Sequence, residues 1–151
     1  MTTNLNKKGV TLIELVIVMV IIAILAVLMV PNIGRWLPNY RLRSAARDIT
    51  STLRTAQVRA VSNNTNYRVV FTEGTGSTGN YVLERNSGGF VADGPAQTLP
   101  SGIQMTTNFN NDRVVFNTNS TANAGTVLLK NPQGTQRAIT VVSSTGRITI
   151  Q

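Results

Sequence analysis

The sequence holds no cysteine and no histidine, and only six acidic side chains stand against 14 basic ones. Without cysteine there is no disulfide, no thiol nucleophile and no thiolate metal ligand; without histidine the commonest general base and the commonest metal ligand are both missing. The absence of cysteine sets no redox compartment, because it suits a reducing cytosol and an exported protein that needs no staple. Apart from Glu14 the acids are Asp48, Glu73, Glu84, Asp93 and Asp112, scattered with no D-x-D loop, so the clustered oxygen ligands of a calcium site are not supplied. Serine, threonine and these carboxylates assemble no nucleophile and base pair. Most enzyme classes lose their usual equipment, and the expectation is a protein with no catalytic residue, no metal and no cofactor.

What the chain does have is one long apolar run. Val10 to Val30 is 21 residues in which Thr11 and Glu14 are the polar exceptions, while the remainder of the chain is rich in Asn, Thr, Ser and Gly. At about 1.5 Å per residue such a helix reaches about 32 Å, matching the roughly 30 Å of bilayer hydrocarbon. A removable secretory signal has a shorter apolar region and a small-x-small cleavage site, and neither fits. Lys7 and Lys8 precede the run and direct the short N-terminus to the cytoplasm. Six arginines between residues 35 and 61, opposed by Asp48 alone, argue for the reverse orientation, so a strong N-terminal signal or a dedicated export route has to override them. A carboxylate inside the run costs about 2.5 to 3.5 kcal/mol at a bilayer centre, so Glu14 either reaches back to the interface or has a partner.

The block Lys7-Lys8-Gly9-Val10-Thr11-Leu12-Ile13-Glu14-Leu15, followed by the apolar helix and Pro31, resembles the class III signal of type IV pilins and type II secretion pseudopilins. The resemblance implies cleavage after Gly9 by a prepilin peptidase and methylation of the new N-terminus at Val10, where the family usually has Phe. It also implies that the Glu14 carboxylate pairs with the Val10 amine of its own chain or of a neighbouring subunit. In hydrocarbon such a pair offsets the cost of a lone carboxylate and selects one axial register for assembly.

Beyond the run, Pro31 and Pro38 each remove a helical amide, which predicts a helix break at Pro31 and a weakened or bent stretch over residues 31–38. Helix then resumes: Leu42, Ala45, Ala46, Ile49, Leu53, Ala56 and Ala60 recur at helical spacing on one face. Arg43, Arg47 and Arg54 form a stripe on one flank of that face, and Arg41, Asp48 and Arg59 lie on the other. Ser62-Asn63-Asn64-Thr65-Asn66 suits a helix end. From Tyr67 the period changes to seven strand candidates, at residues 67–72, 81–85, 103–107, 113–117, 126–130, 138–142 and 147–150, separated by Gly-, Asn- and Ser-rich turns. The fold class is therefore α+β: a long N-terminal helix, membrane-spanning in its first half and amphipathic in its second, packed on a mainly antiparallel sheet domain. The organisation reads as a leader at 1–9, a membrane and assembly helix at 10–30, an amphipathic continuation at 31–61 and a sheet domain at 62–151. Gly74 to Gly79 matches G-x-G-x-x-G letter for letter, but no helix or apolar βαβ unit follows, so it reads as a hairpin loop.

The helix, its Arg-Leu-Arg-Ser-Ala-Ala-Arg-Asp block and the strand-rich remainder resemble the GspH/FimT-type minor pseudopilins. That resemblance implies a subunit of a type II secretion pseudopilus or type IV pilus-like filament, anchored in the bacterial inner membrane with its sheet domain periplasmic. Its partners are other pseudopilins or pilins of the filament, the prepilin peptidase and inner-membrane lipid. The alternative is a minor pilin that binds DNA for uptake. In the DNA-uptake branch of the family a G-R-x-R motif supplies binding arginines; Gly146 and Arg147 match it, Thr149 replaces the second arginine, and Arg43, Arg47 and Arg54 are further candidates for phosphate contact.

Overall fold

A computed structural model describes residues 10–151, apart from the side chains of residues 28–33 and 35. The chain divides into two compact units between Trp36 and Leu37. One α-helix, α1 (Leu12–Ser62), is assigned across 51 residues. The expected break at Pro31 is corrected here, because the helix assignment passes through both Pro31 and Pro38. A proline's fixed φ is compatible with a helix, so what each costs is one amide hydrogen bond and a crowded carbonyl one turn earlier.

In the first unit α1 starts on a local signal. The Thr11 hydroxyl accepts a hydrogen bond from the Glu14 amide at 3.3 Å, and the Leu15 amide bonds to the Thr11 carbonyl at 3.2 Å. Thr11 is thus the N-cap and Glu14 the third helical residue, the T-x-x-E spacing of a capping box. The described apolar side chains from Leu12 to Val27 are all exposed. No helix is long and apolar enough to cross a membrane among the described residues, and the last three residues of the apolar run are outside the described side chains.

The second unit is built on the C-terminal part of α1. All seven residues of the apolar helical stripe, Leu42 through Ala60, are at most 2% exposed. Ten strands follow: β1 (Tyr67–Thr72), β2 (Gly74–Thr75), β3 (Asn80–Asn86), β4 (Phe90–Ala92), β5 (Gln97–Thr98), β6 (Gln104–Thr107), β7 (Arg113–Phe116), β8 (Gly125–Lys130), β9 (Gln136–Val141) and β10 (Ile148–Ile150). They form two antiparallel sheets of five strands, one ordered β4-β3-β1-β7 with β5 also on β3, the other β10-β9-β8-β6-β2. Period-two alternation turns Tyr67, Val69 and Phe71 of β1, Val114 and Phe116 of β7, Val127 and Leu129 of β8, and Ile139 and Val141 of β9 inward. These residues join the helix stripe in a single core.

The seven strands read from the sequence all form, within two residues of their expected ends. They form the mainly antiparallel sheet domain expected, divided into two sheets; alternation marks which face is buried and says nothing about which strand is the neighbour. The G-x-G-x-x-G stretch is more ordered than a plain hairpin loop: Gly74-Thr75 is β2, paired to β6, and a 3-10 turn at Gly76–Thr78 leads back to β3. A side chain at Gly74 would sit 2.6 Å from the Thr78 hydroxyl and 2.8 Å from the Gly79 amide, so close backbone approach accounts for the glycine without a phosphate.

Within this unit, cross-strand chemistry follows the register. Arg68 opposes Glu84 across β1 and β3 and pairs with it, and its guanidinium lies 4.0 Å from the centroid of the Phe90 ring. Tyr81 is 3% exposed and donates to Gln97 Oε1 at 2.8 Å. Burial first, and then the Asp48 charge, push its phenol up to about 12, while Thr52 opposes them. Because the fold favours the neutral phenol, its contribution to stability is complete below the unfolded value of about 10 and is lost as pH rises from there towards 12. Thermal melts in alkaline buffers should therefore fall over that window, and Tyr81→Phe should flatten the fall; an identical alkaline profile in the variant would remove Tyr81 as the cause.

Candidate functional site

Two places bring together the side chains that the sequence singled out. The first is the start of α1. Gly9 lies outside the described residues; Val10 is exposed, two residues ahead of the helix, and Glu14 is exposed in its first turn. A carboxylate there faces the positive end of the helix dipole. Thr11 was not singled out as functional by the sequence reading, although its T-x-x-E spacing to Glu14 carried the capping signal.

The second is a basic groove along the outer face of α1. Its larger part, about 510 Å³, is lined by Arg47, Thr50, Ser51, Arg54, Val58 and Ile150 together with Thr55 and Arg59. A second part of about 260 Å³ continues along the helix and is lined by Arg43, Ala46, Arg47, Arg137 and Ile150. The i, i+4, i+11 spacing of Arg43, Arg47 and Arg54 places them along one flank of α1, and β10 reaches that flank at Ile150. Arg59 closes the far side, where it pairs with Asp93 at 2.6 Å. Arg137, on β9, joins the cluster by long-range topology; no local spacing in the sequence announces it. No acidic residue lines either part of the groove.

Arg147 is exposed but does not line the groove. It follows Gly146, whose φ of +60° and position against α1 both call for glycine: a Cβ there would lie 2.3 Å from the Ser120 carbonyl oxygen and 2.6 Å from Gln57 Nε2. Gln57 fixes this corner by donating to Ser120 Oγ at 2.8 Å and to the Thr145 carbonyl at 3.2 Å. The structure therefore gathers Arg43, Arg47 and Arg54 on one surface and leaves Arg147 off it.

Thr50 stands apart chemically. Its residue is 5% exposed, it lines the groove, and its hydroxyl has no hydrogen-bond partner among the described residues. Thr52 and Thr55, by contrast, return their hydroxyls to the carbonyls of Asp48 and Ser51, four residues back. An unpaired buried hydroxyl costs about 1 to 3 kcal/mol. Among the described residues no three or more Asp and Glu side chains come together to hold a metal ion.

Comparison with known proteins gives two family matches. The prokaryotic N-terminal methylation motif covers residues 4–30, and type II transport protein GspH covers residues 45–146. No curated protein matches the chain's sequence. Solved structures share its fold. The minor pseudopilin EpsH from the type 2 secretion system of Vibrio cholerae is 11% identical, with 74% of this chain and 96% of that one covered and a TM-score of 0.63. The type IV minor pilin FimU of Pseudomonas aeruginosa is 18% identical, covering 73% and 92% at 0.57. The solution structure of Escherichia coli GspH is 14% identical, covering 75% and 89% at 0.58.

Proposed function

The chain belongs to the GspH family of type II transport proteins, and from that premise we propose that it is a minor pseudopilin, a non-catalytic structural subunit of a type II secretion pseudopilus or a related type IV pilus-like filament. In this reading residues 1–9 are a leader removed by a prepilin peptidase after Gly9, and Val10 becomes a methylated N-terminus. The apolar half of α1 holds the subunit in the inner membrane, N-terminus cytoplasmic and sheet domain periplasmic, until it packs with other pilin-like subunits.

One observation carries the reading. Helix α1 begins two residues after the Gly9-Val10 junction, with Glu14 in its first turn, and the same helix later supplies the stripe around which the sheet domain is built. A cationic amine next to a helix N-terminus is opposed by the dipole, so the nearby Glu14 carboxylate is the group that offsets it. In a filament the carboxylate can serve the amine of the next subunit equally well. Mass spectrometry of the protein from its native membrane should find a mature chain starting at Val10 and carrying a methyl group, and Gly9→Leu should leave the full-length chain, because the peptidase pocket takes glycine. An intact Met1 in the unaltered protein, or a cut elsewhere, would sink this reading.

DNA capture is the second reading, and the gathering of Arg43, Arg47, Arg54 and Arg137 on one face speaks for it. Against it, Arg147 lies off that face, and Thr149 stands where the uptake motif has its second arginine.

A further inference from the structure

The groove has a wall that a phosphate backbone does not use, the outer edge of β10. This strand ends its sheet and is paired on one side only, to β9, in the register Ile148 to Val141, Thr149 to Thr140 and Ile150 to Ile139. The Gln151 and Ala138 backbones exchange both hydrogen bonds, and the Val142 amide bonds to the Arg147 carbonyl. In an antiparallel ladder such pairs alternate, so residues 147, 149 and 151 bond to β9, while the amides and carbonyls of Ile148 and Ile150 point to the open side.

The far ends of the two sheets, at β7 and β2, are blunted in different ways. Asn123 closes the outer side of β7 by accepting from the Val115 amide and donating to the Arg113 carbonyl, next to the bridge between Phe116 and Ala122. The edge strand β2 is only two residues long. The Ile-Thr-Ile of β10 carries no charge, proline or bulge, the usual devices that keep an edge from pairing.

Given the reading of the chain as a filament subunit, on which this rests, we infer that β10 and α1 receive an extended acidic segment of a second pilin-like subunit, added as a strand to the open edge of β10. Charge complementarity selects the partner's chemistry: Arg43, Arg47, Arg54 and Arg137 surround the groove with no acid among its lining residues. Apolar contact selects its pattern. Val58 is 65% exposed and Ile150 41% exposed, so apolar side chains on the inserted strand would cover them while carboxylates reach the arginines. Main-chain bonds along β10 supply affinity and the alternate side chains supply specificity, as in other strand-addition complexes.

The experiment uses the full chain in cells that express the other pilin-like subunits of its own genome. A photo-crosslinking side chain replaces Ser51, which is exposed and lines the groove. Irradiation should join the chain to one pilin-like subunit, and mapping of the adduct should give an acidic, extended segment. Ile150→Pro removes an amide that faces the open side and leaves the β9 ladder in place, so the adduct should fall to background with an unchanged melting temperature. Arg47→Glu with Arg54→Glu, both exposed on α1, should abolish it independently of any effect of the proline on folding. Adduct formation that survives both variants, adducts to nucleic acid or lipid instead, or no adduct while the chain still co-purifies with the other subunits would each overturn strand addition and leave the subunit reading standing. Loss of co-purification in the unaltered chain as well would overturn both.

Discussion

Leu53→Ala is expected to lower the stability of the sheet domain by about 3 to 4 kcal/mol. Leu53 is 0% exposed at the middle of the helix stripe, flanked one turn away on either side by the equally buried Ile49 and Ala56. Truncation removes three side-chain carbons from a packed site, and a helix held on both sides cannot move in to close the hole, so the transfer loss and a cavity term add. Against a total of about 5 to 15 kcal/mol for a domain of this size, that is a large fraction. The midpoint of thermal unfolding should fall by about 10 to 15 °C. Val58→Ala, on the exposed side of the same helix, is the control and should change stability by less than about 0.5 kcal/mol. Measured on a chain beginning near Asn39, equal effects of the two substitutions would mean that the stripe from Leu42 to Ala60 is not the core of this domain.

The second large effect is on assembly. On the proposal that the chain is a membrane-held filament subunit, Glu14→Ala should leave it in the membrane and abolish its co-purification with the other subunits. Removing the carboxylate takes away a burial cost of about 2.5 to 3.5 kcal/mol at mid-bilayer, so insertion does not suffer. What disappears is the partner for a subunit's amine and, with it, the preference for one axial register. The capping geometry at Thr11 offers a competing explanation, since an acid in the first turn also contributes about 0.3 to 1 kcal/mol through the helix dipole. Glu14→Gln separates the two: it keeps a side chain suited to the capping box but removes the charge. Both variants should fail to assemble. If the glutamine variant assembles normally, Glu14 acts as a helix-start residue and the ion-pair register is wrong.

Much of the fold was legible because its signals are local and periodic. The spacing of Leu42, Ala45, Ala46, Ile49, Leu53, Ala56 and Ala60 identified the buried face of α1 residue by residue, and alternation found seven strands. The three strands that escaped, β2, β4 and β5, are two or three residues long and have no buried alternation to read. The expected break at Pro31 gave too much weight to the one amide bond a proline removes, since α1 includes both Pro31 and Pro38. The candidate groove was half legible: helical spacing placed Arg43, Arg47 and Arg54 together, but Arg137 and Ile150 join them from strands some 80 to 100 residues later in the chain. Thr50 carried no signal in the sequence, because its unpaired hydroxyl is visible only once the neighbours are in place. The uncharged Ile-Thr-Ile near the C-terminus was the one sequence signal of an open edge.

The way β10 and the Gln57 corner close on α1 also sets the order in which the domain can be completed. The bond from Gln57 to the Thr145 carbonyl spans 88 residues, and that from Asn39 to Gln133 spans 94. The helix is made first and its closing strand last, so the stripe has its full cover only after nearly the whole chain is available. Long-range contacts of this kind slow folding, because the ends of a long loop must meet before any bond rewards them. During synthesis the segment from Leu42 to Ala60 is consequently a half-finished apolar surface, open to association with other chains until β10 has been made.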